Sequence, residues 1–320
     1  MRVQWQLTCI RCNKRVNMTM LDPAGLAAHT VAGVAWSLFV GSTLIFAGVM
    51  ALLVVALRQR VGKVNTRWWI VGGGLVFPAV VLSILMVYTA VRSTQLTSTP
   101  PVDALVISVI GKMWWWEVRY RTPQGTDVVL ANEIHIPVNQ PVVIGLSSSD
   151  VIHSFWVPQL SGKMDMVPGR TNQLVLHAMT SGVYRGQCAE YCGEQHARMA
   201  MHVVVHKPAD FDIWLAAQAQ PARAPLSPLE KRGREAFVAQ RCTACHTVRG
   251  VSEEGRLGPD LTHVGSRLYL GAGTMRNDAA AMQRWIAHVQ KVKTGARMPS
   301  FGEVDAASLE AMAVWLESLK

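Results

Sequence analysis

The segment CAEYCGEQHARM, residues 188–199, places two cysteines, a histidine and a methionine in one short stretch of the chain. A second histidine lies upstream in VIHSFWVPQ, at the start of another strand-like run. Soft sulfur ligands combined with imidazole select copper over hard cations. The candidate ligands are Cys188, Cys192, His196, Met199 and His153. A Cys188–Cys192 disulfide and a zinc site are the alternatives, although zinc sites favour four N or S ligands without methionine.

The sequence around this segment has the pattern of short strands. Runs of β-branched and aromatic residues are separated by Pro, Gly and Asn turns, which is typical of a sheet protein. The runs cover residues 104–110, 113–120, 142–148, 172–178, 182–187 and 201–206. The pattern predicts a small antiparallel all-β sandwich or barrel over residues 92–212.

Two uncharged apolar stretches come before these strands, at residues 31–57 and 68–91. Each exceeds the ~20 residues that cross a bilayer as a helix, so we predict a transmembrane hairpin. A buried core helix or a signal peptide is the alternative, but both stretches exceed signal-peptide length. The loop between them carries four bases and no acid, which places it in the cytoplasm and residues 92–320 outside. The basic tail, residues 1–30, opposes that orientation.

Most of the net charge of +10 lies beside the predicted membrane helices. Residues 1–91 carry 8 bases and 1 acid, residues 92–220 carry 9 and 10, and residues 221–320 carry 14 and 10. Nucleic-acid binding requires a basic face on a globular domain, so this distribution argues against it. It suits orientation in a bilayer and contact with anionic lipid.

A second domain follows the strands. The stretch at residues 211–230 starts as a short helix and becomes rich in Ala, Pro and Gln, which predicts an extended, partly stiff linker over residues 213–228. Apolar residues then return at helical spacing in 230–240, 279–290 and 305–319. Together these patterns predict a compact all-α domain over residues 229–320.

This all-α domain contains the motif for covalent haem attachment. In Cys242-Thr-Ala-Cys245-His246 the thiols form thioethers to the haem and the histidine becomes an iron ligand. Met298, in Met298-Pro299, is the candidate second axial ligand. Three other methionines are interpreted as core residues: Met275, Met282 and Met312.

The segment at 188–199 has the pattern C-x-E-x-C-x3-H-x2-M, and it is preceded by HSFWVP (153–158) and PGRTN (168–172). In these motifs the chain resembles subunit II of the haem-copper cytochrome c oxidases. The resemblance implies a cupredoxin fold with a binuclear CuA centre. Cys188 and Cys192 would bridge both coppers and His153 and His196 would each bind one. Met199 and the Glu190 carbonyl would ligate weakly.

The same resemblance implies two further roles. The Glu190 side chain would face subunit I and hold a magnesium or manganese ion. One tryptophan of the run at 114–116 would be the point where electrons enter, with Trp114 the first choice and Trp116 the second. Aromatic residues in strands are otherwise ordinary core and surface residues.

The C-terminal domain resembles a class I cytochrome c, because Gly258-Pro259-Asp260-Leu261 follows the haem motif and Met298 precedes the last helix. The whole chain is therefore similar to the subunit II of caa-type oxidases, which carries a fused cytochrome c. The resemblance implies that electrons pass from a donor cytochrome c through haem c and CuA to subunit I. Oxygen is reduced to water there, coupled to proton pumping. Subunits I and III would be partners in a bacterial inner membrane, with both domains outside.

Some features depart from this family. A glutamate usually found at the start of the second membrane helix is absent from Val64-Asn65-Thr66-Arg67-Trp68. Another subunit could supply that proton path, or the partner could be a divergent oxidase or a CuA-containing nitric oxide reductase. A membrane-tethered electron carrier or copper-binding protein is a further alternative. Cys9 and Cys12 form an incomplete C-x-x-C, interpreted as functionless or as preceding a true start at Met18 or Met20.

Overall fold

The computed structural model describes residues 18–58, 65–96, 101, 104–121 and 127–320. The interpretation of Cys9 and Cys12, and that of the loop charges at 59–64, falls outside the described residues.

Two long apolar helices open the described chain. Helix α1 spans Leu26–Arg58, and a second helix spans Thr66–Thr94. The second is formed by α2 (Thr66–Trp68), a π-helical stretch (Trp69–Val76) and α3 (Phe77–Thr94). Both are long and apolar enough to cross a membrane, and their most apolar windows are not buried in the protein. Exposed Leu and Phe side chains fit lipid and not a soluble core, so the predicted hairpin is confirmed as a pair of membrane-capable helices.

The segment just before α1 is bonded to the β-domain. The backbone N–H groups of Ala24 and Gly25 donate to the Gln159 carbonyl at 2.7 and 3.0 Å. The Met179 N–H in turn donates to the Ala24 carbonyl at 2.8 Å. Since α3 also leads into this domain, both outer ends of the hairpin lie on the side of the β-domain.

The β-domain is a sandwich of two five-stranded sheets, ordered β3-β2-β1-β5-β8 and β4-β10-β9-β6-β7. The strands are β1 Leu105–Lys112, β2 Trp115–Arg121, β3 Asp127–Ala131, β4 Glu133–Pro137, β5 Pro141–Ser148, β6 His153–Trp156, β7 Met164–Met166, β8 Asn172–His177, β9 Gly182–Cys188 and β10 Ala200–His206. Most neighbours are antiparallel, but β1 with β5 and β4 with β10 are parallel. The all-β prediction is confirmed, with two parallel pairs that it did not include.

The two sheets close over one apolar core. In β1 the side chains of Ile107 and Val109 are fully buried, whereas Val106 on the opposite face is 51% exposed. Trp116 and Phe155 fill the centre of the core and meet edge to face, with ring centroids 6.2 Å apart. Each fully buried large side chain contributes about 1.5–3 kcal/mol to folding. This packing holds the strand ends that carry the candidate ligands.

The C-terminal region is helical. After β10 come α4 (Pro208–Gln218), α5 (Pro228–Ala239), α6 (Ala279–Val292) and α7 (Ala306–Ser318). Ser227, Asp278 and Asp305 cap α5, α6 and α7 by accepting backbone N–H bonds, which sets where these helices begin. A two-stranded ribbon joins β11 (Tyr269–Leu270) to β12 (Met275–Arg276). We call residues 219–320 the helical domain.

The predicted linker, residues 213–228, is ordered in the structure. Its first part belongs to α4, and its second part is bonded along the helical domain. The Ala222 N–H donates to the Arg249 carbonyl at 2.9 Å, and the Arg249 guanidinium donates to the Gln218 and Ala219 carbonyls. The linker is thereby fixed to the domain that it precedes.

Helices α5 and α7 cross at Gly233, where their backbones touch. A Cβ added at Gly233 would lie 2.6 Å from the Ala311 carbonyl carbon and 2.8 Å from Trp315 Cβ. We therefore expect Gly233→Ala to destabilise the helical domain by about 1–3 kcal/mol through overpacking. Thermal unfolding of the full chain, followed by the haem absorbance, measures this. Glu235→Ala, at an exposed position of the same helix, is the control. An unchanged melting temperature for Gly233→Ala would contradict the close backbone contact between α5 and α7 at this glycine.

Candidate metal centre and haem site

The loop between β9 and β10, residues 189–199, carries most of the candidate metal ligands. Cys188 ends β9, and the loop closes with a 3-10 turn, His196–Arg198, immediately before Met199. His153 begins β6, which pairs with β9 so that Phe155 lies opposite Cys188. The sheet therefore brings His153 to the loop from a neighbouring strand, as its position in the sequence indicated.

The donor atoms of these residues form one cluster. Cys188 Sγ lies 3.8 Å from His153 Nδ1 and 3.8 Å from Cys192 Sγ. Cys192 Sγ lies 3.6 Å from His196 Nδ1 and 3.8 Å from Met199 Sδ. The Glu190 carbonyl oxygen is 3.1 Å from Cys188 Sγ. The structure thus brings all six predicted donors together.

The spacing and chemistry of this cluster fit a soft metal. Ligands that bond one ion at about 2.0–2.3 Å in tetrahedral directions stand roughly 3.3–3.8 Å apart, as these atoms do. The sulfur separation of 3.8 Å is also much longer than the ~2.05 Å of a disulfide, so both thiols are free. The residues are at most 4% exposed at His153, Cys188, Cys192 and Met199. A set of two cysteine sulfurs, two imidazoles and a thioether is one that copper prefers.

Hydrogen bonding within the cluster shifts the pKa values of the two thiols in opposite directions. The neighbouring Cys192 thiol is the main reason that the pKa of Cys188 falls, to about 3, while burial opposes the change. Cys188 in turn raises the pKa of Cys192, first because the hydrogen bond between the two sulfurs favours the protonated Cys192, and then through burial and the repulsion between two thiolates. Burial alone lowers the pKa of His153, but its bonds to Cys188 and Asp150 outweigh burial and raise it. Cys188 is therefore the thiolate of the pair and Cys192 the thiol.

Asp150 supports the cluster and was not predicted from the sequence. Its Oδ1 lies 2.8 Å from His153 Nε2, and its Oδ2 accepts the Met113 N–H at 2.8 Å. A carboxylate on the outer nitrogen orients an imidazole ligand and increases its basicity. An acid three residues before the histidine is the only signal that the sequence offered.

The two candidate tryptophans lie in different surroundings. Trp116 is fully buried in the sandwich core, and its ring is 6.1 Å from that of His153. Trp114 is half-buried at the domain edge, and its Nε1 donates to the Cys192 carbonyl at 2.8 Å. Trp114 therefore contacts the β9–β10 loop directly, whereas Trp116 packs beneath it.

Trp114 also meets the helical domain. A Cβ added at Gly193 of the loop would lie 3.2 Å from Trp114 Cζ2, and one added at Gly295 of the helical domain would lie 3.5 Å from Cη2. Both glycines let the backbone come close to the indole ring. The ring is thus placed between the candidate metal centre and the second domain.

Other contacts between the two domains surround this tryptophan. The Ala200 N–H donates to the Ala272 carbonyl at 3.0 Å. The rings of His202 and Tyr269 stack at 4.3 Å, and Glu133 Oε1 accepts the Leu268 N–H at 2.6 Å. The helical domain therefore packs on the end of the sandwich that carries the metal cluster.

In the helical domain, the histidine of the haem motif is oriented by a hydrogen bond from its Nδ1 to a backbone carbonyl. His246 Nδ1 lies 2.7 Å from the Pro259 carbonyl oxygen, which leaves Nε2 as the ligand atom. Burial lowers the pKa of His246, so the imidazole is neutral and able to bind a metal. Gly258 packs against the same ring, since a Cβ there would lie 2.5 Å from His246 Cε1.

The two cysteines of the haem motif are free thiols, and Met298 lies in the same domain. Cys242 and Cys245 are free thiols on a short 3-10 turn, and burial raises the pKa of Cys242 to about 11. Met298 is half-buried and packs against the core of the domain, and its carbonyl accepts the Gln290 amide at 2.7 Å. The methionines interpreted as core, Met275, Met282 and Met312, are 9% exposed or less.

Comparisons with known proteins agree with this architecture. The family described as cytochrome C oxidase subunit II, periplasmic domain, matches residues 124–207, and the cytochrome c family matches residues 230–320. Cytochrome c oxidase subunit 2 of Alkalihalophilus pseudofirmus is 30% identical over 97% of this chain and 93% of its own length. The protein of the same name from a Bacillus species is 30% identical over 77% of this chain and 72% of its own.

Among solved structures, the periplasmic domain of subunit II of cytochrome oxidase from Bradyrhizobium japonicum is 30% identical. The match covers 38% of this chain and 96% of that chain, with a TM-score of 0.35.

Fold and sites together define a membrane-anchored, cupredoxin-like protein that continues into a cytochrome c domain. The two family matches imply copper for the sandwich and haem c for the helical domain. The relative that spans almost the whole chain shows the family. The chain belongs to the cytochrome c oxidase subunit 2 family and is a subunit of an oxidase complex.

Proposed function

We propose that this chain takes electrons from a donor cytochrome c and passes them, through its haem and then its copper, to the haem of subunit I. Oxygen is reduced to water in that subunit, coupled to proton pumping. The observation that supports this order is the position of Trp114. This residue contacts both the metal cluster and the helical domain, which is the cytochrome domain of the chain.

The residues that would hold copper are those of the buried cluster. Cys188 and Cys192 would be shared by the copper pair, His153 and His196 would each hold one ion, and Met199 and the Glu190 carbonyl would be weaker ligands. A copper pair held there supplies a one-electron carrier. The surrounding strands hold the donors still, and the near-complete burial of the thiols opposes release of the metal. That burial also argues against the alternative of a protein that delivers copper.

In the cytochrome domain, Cys242 and Cys245 would carry the haem thioethers, with His246 and Met298 as axial ligands. The Pro259 carbonyl fixes the orientation of the His246 ring through the 2.7 Å contact at Nδ1. A His/Met ligand pair raises the potential of a haem, which suits a donor to copper. The domain is therefore proposed as the electron inlet.

Trp114 is proposed as the residue through which electrons reach the copper ligands. Its indole N–H is bonded to the carbonyl of Cys192, a proposed copper ligand, and its ring touches Gly295 of the cytochrome domain. Trp116 offers no such path, because it is enclosed in the sandwich core. The geometry therefore favours Trp114 over Trp116.

Further parts of the proposal concern partners and location. The Glu190 side chain is half-buried, so it is available to a magnesium ion at the contact with subunit I. Subunit III completes the complex. Both ends of the membrane hairpin face the sandwich, which supports placing the two redox domains on the outer side of a bacterial inner membrane.

The metal assignment is tested on the full chain, purified in detergent after expression with haem maturation. Metal analysis is expected to give about two coppers per chain, with a mixed-valence copper signal in electron paramagnetic resonance and a low-spin haem c in the optical spectrum. Zinc in the cluster, or a single mononuclear copper, would overturn the assignment.

The electron path is tested by Trp114→Leu in the same preparation. We expect haem-to-copper electron transfer to slow about tenfold or more, the equivalent of about 1.4 kcal/mol in barrier, because the aromatic contact between the domains is lost. Flash reduction of the haem, followed at the copper absorbance, gives this rate. Trp115→Leu is the matched control, since Trp115 is the adjacent half-buried indole and its ring lies 5.0 Å from Lys112 Nζ. Equal rates for the two variants would exclude Trp114 as the path.

A further inference from the structure

Lys293 is a buried lysine at the contact between the two redox domains. It follows the last residue of α6 and is 3% exposed. Lysine is rarely buried to this degree, because removing an ammonium from water is costly unless its protons are bonded. In the described part of the chain, no carboxylate lies within ion-pair distance of its Nζ.

The Lys293 ammonium is compensated by three backbone carbonyls instead. Its Nζ donates to the Trp114 oxygen at 2.7 Å, the Arg198 oxygen at 2.8 Å and the Gly271 oxygen at 2.9 Å. An ammonium has three protons, so this set satisfies it completely. Only Gly271 belongs to the cytochrome domain, and the other two carbonyls belong to the sandwich.

The two sandwich carbonyls lie in the segments that carry the proposed electron path. Trp114 is the residue between the domains, and Arg198 directly precedes the proposed ligand Met199. Arg198 also reaches back, since its guanidinium donates to the Val292 carbonyl at 2.6 Å. Lys293 and Arg198 thus form a reciprocal clamp, in which each residue donates to the domain of the other.

The same turn of the cytochrome domain approaches the loop at a second point. Gly295, two residues after Lys293, is close to Trp114 and to the Glu194 carboxylate, which would lie 2.8 Å from a Cβ added there. The turn at residues 293–295 therefore covers the indole ring of Trp114. Lys293, in the same turn, donates to the backbone carbonyl of Trp114.

We propose that Lys293 is a positioning residue that locks the cytochrome domain onto the β9–β10 loop and keeps Trp114 in contact with both domains. The inference rests on the proposed electron relay. Its role is to keep the docked arrangement populated, so that each electron crosses at a fixed separation. Without the two Lys293 bonds that cross the contact, the docked arrangement would be less populated, although the Ala200–Ala272, Arg198–Val292 and Leu268–Glu133 bonds remain.

The test is Lys293→Met in the full chain, with haem and copper loaded. Methionine keeps the length and apolar stem of the side chain but removes all three donors. We expect intramolecular haem-to-copper transfer to slow by about tenfold or more, because two hydrogen bonds across the domain contact are lost and two buried carbonyls lose their donor. The rate should also become dependent on solvent viscosity, since domain encounter then limits it. Lys291→Met, at an exposed position on the same helix, is the matched control.

Two readouts separate positioning from a merely structural effect. The haem optical spectrum and the copper content should be unchanged in Lys293→Met, because Lys293 donates to backbone carbonyls and to none of the proposed ligand atoms. A rate equal to that of Lys291→Met, without viscosity dependence, would overturn the role of Lys293. Absence of any haem-to-copper transfer in the unmodified chain would instead overturn the proposed relay.

Discussion

Replacing Cys188 by Ser is expected to remove copper from the chain and abolish oxidase activity, while the haem remains in place. Cys188 Sγ lies within 3.8 Å of three other donors. A serine hydroxyl is a hard, neutral oxygen that does not ionise at neutral pH, so it replaces neither the softness nor the charge of a thiolate. Metal analysis of the purified chain measures the loss, and the haem spectrum reports whether the second domain is intact.

Met201→Leu is the control for this experiment. Met201 is fully buried two residues beyond Met199, but its sulfur is not among the clustered donors. This variant should keep its copper. Full copper content in Cys188→Ser would show that the cluster is not the copper site.

Gly258→Ala is expected to damage the haem site. The added methyl carbon would lie 2.5 Å from His246 Cε1, closer than any real contact, so the imidazole must move. Moving the ring would also disturb the 2.7 Å contact between His246 Nδ1 and the Pro259 carbonyl oxygen. Misplacing a reacting group by about 1 Å can cost on the order of a hundredfold in rate, and we expect a loss of that size in oxidase turnover with a cytochrome donor.

The optical spectrum of the haem distinguishes this displacement from general unfolding. Gly258→Ala should weaken or lose the low-spin His/Met signature, while copper content is unchanged. Gly302→Ala is the matched control in the same domain, since its nearest contact would be the Ala287 carbonyl at 3.3 Å. A normal haem spectrum and turnover in Gly258→Ala would contradict the packing at His246.

The sequence predicted the elements with strong local patterns. The six strand-like runs match strands of the sandwich, and the three helical runs of the C-terminal domain match α5, α6 and α7. The candidate donors could be grouped because most of them lie close together in the chain. Strands β3, β4 and β7 were missed, since they are short and β3 and β4 are separated only by Asn132, which has a positive φ of 65°.

Contacts between distant residues could not be predicted from one sequence. Lys293 and Trp114 are 179 positions apart, and in the sequence Lys293 is one of several bases near a helix end. Asp150 was missed for a related reason, because a surface-type acid in a loop gives no sign that its carboxylate points at an imidazole. The short helix expected at the start of the linker is α4, whereas the bonds from Arg249 that fix the chain after it join residues distant in sequence and gave no signal.

The bonds of Ala24 and Gly25 to Gln159 have a mechanical consequence for the complex. Helix α1 has 33 residues, a length of about 50 Å at 1.5 Å per residue, whereas a hydrocarbon core is about 30 Å thick. Because the start of α1 is fastened to the sandwich and α3 leads into it, the sandwich cannot swivel on a single tether. Helix length then acts as a spacer between lipid and metal cluster. One added turn in α1 would raise that side of the sandwich by about 5 Å and tilt it, without changing a single ligand.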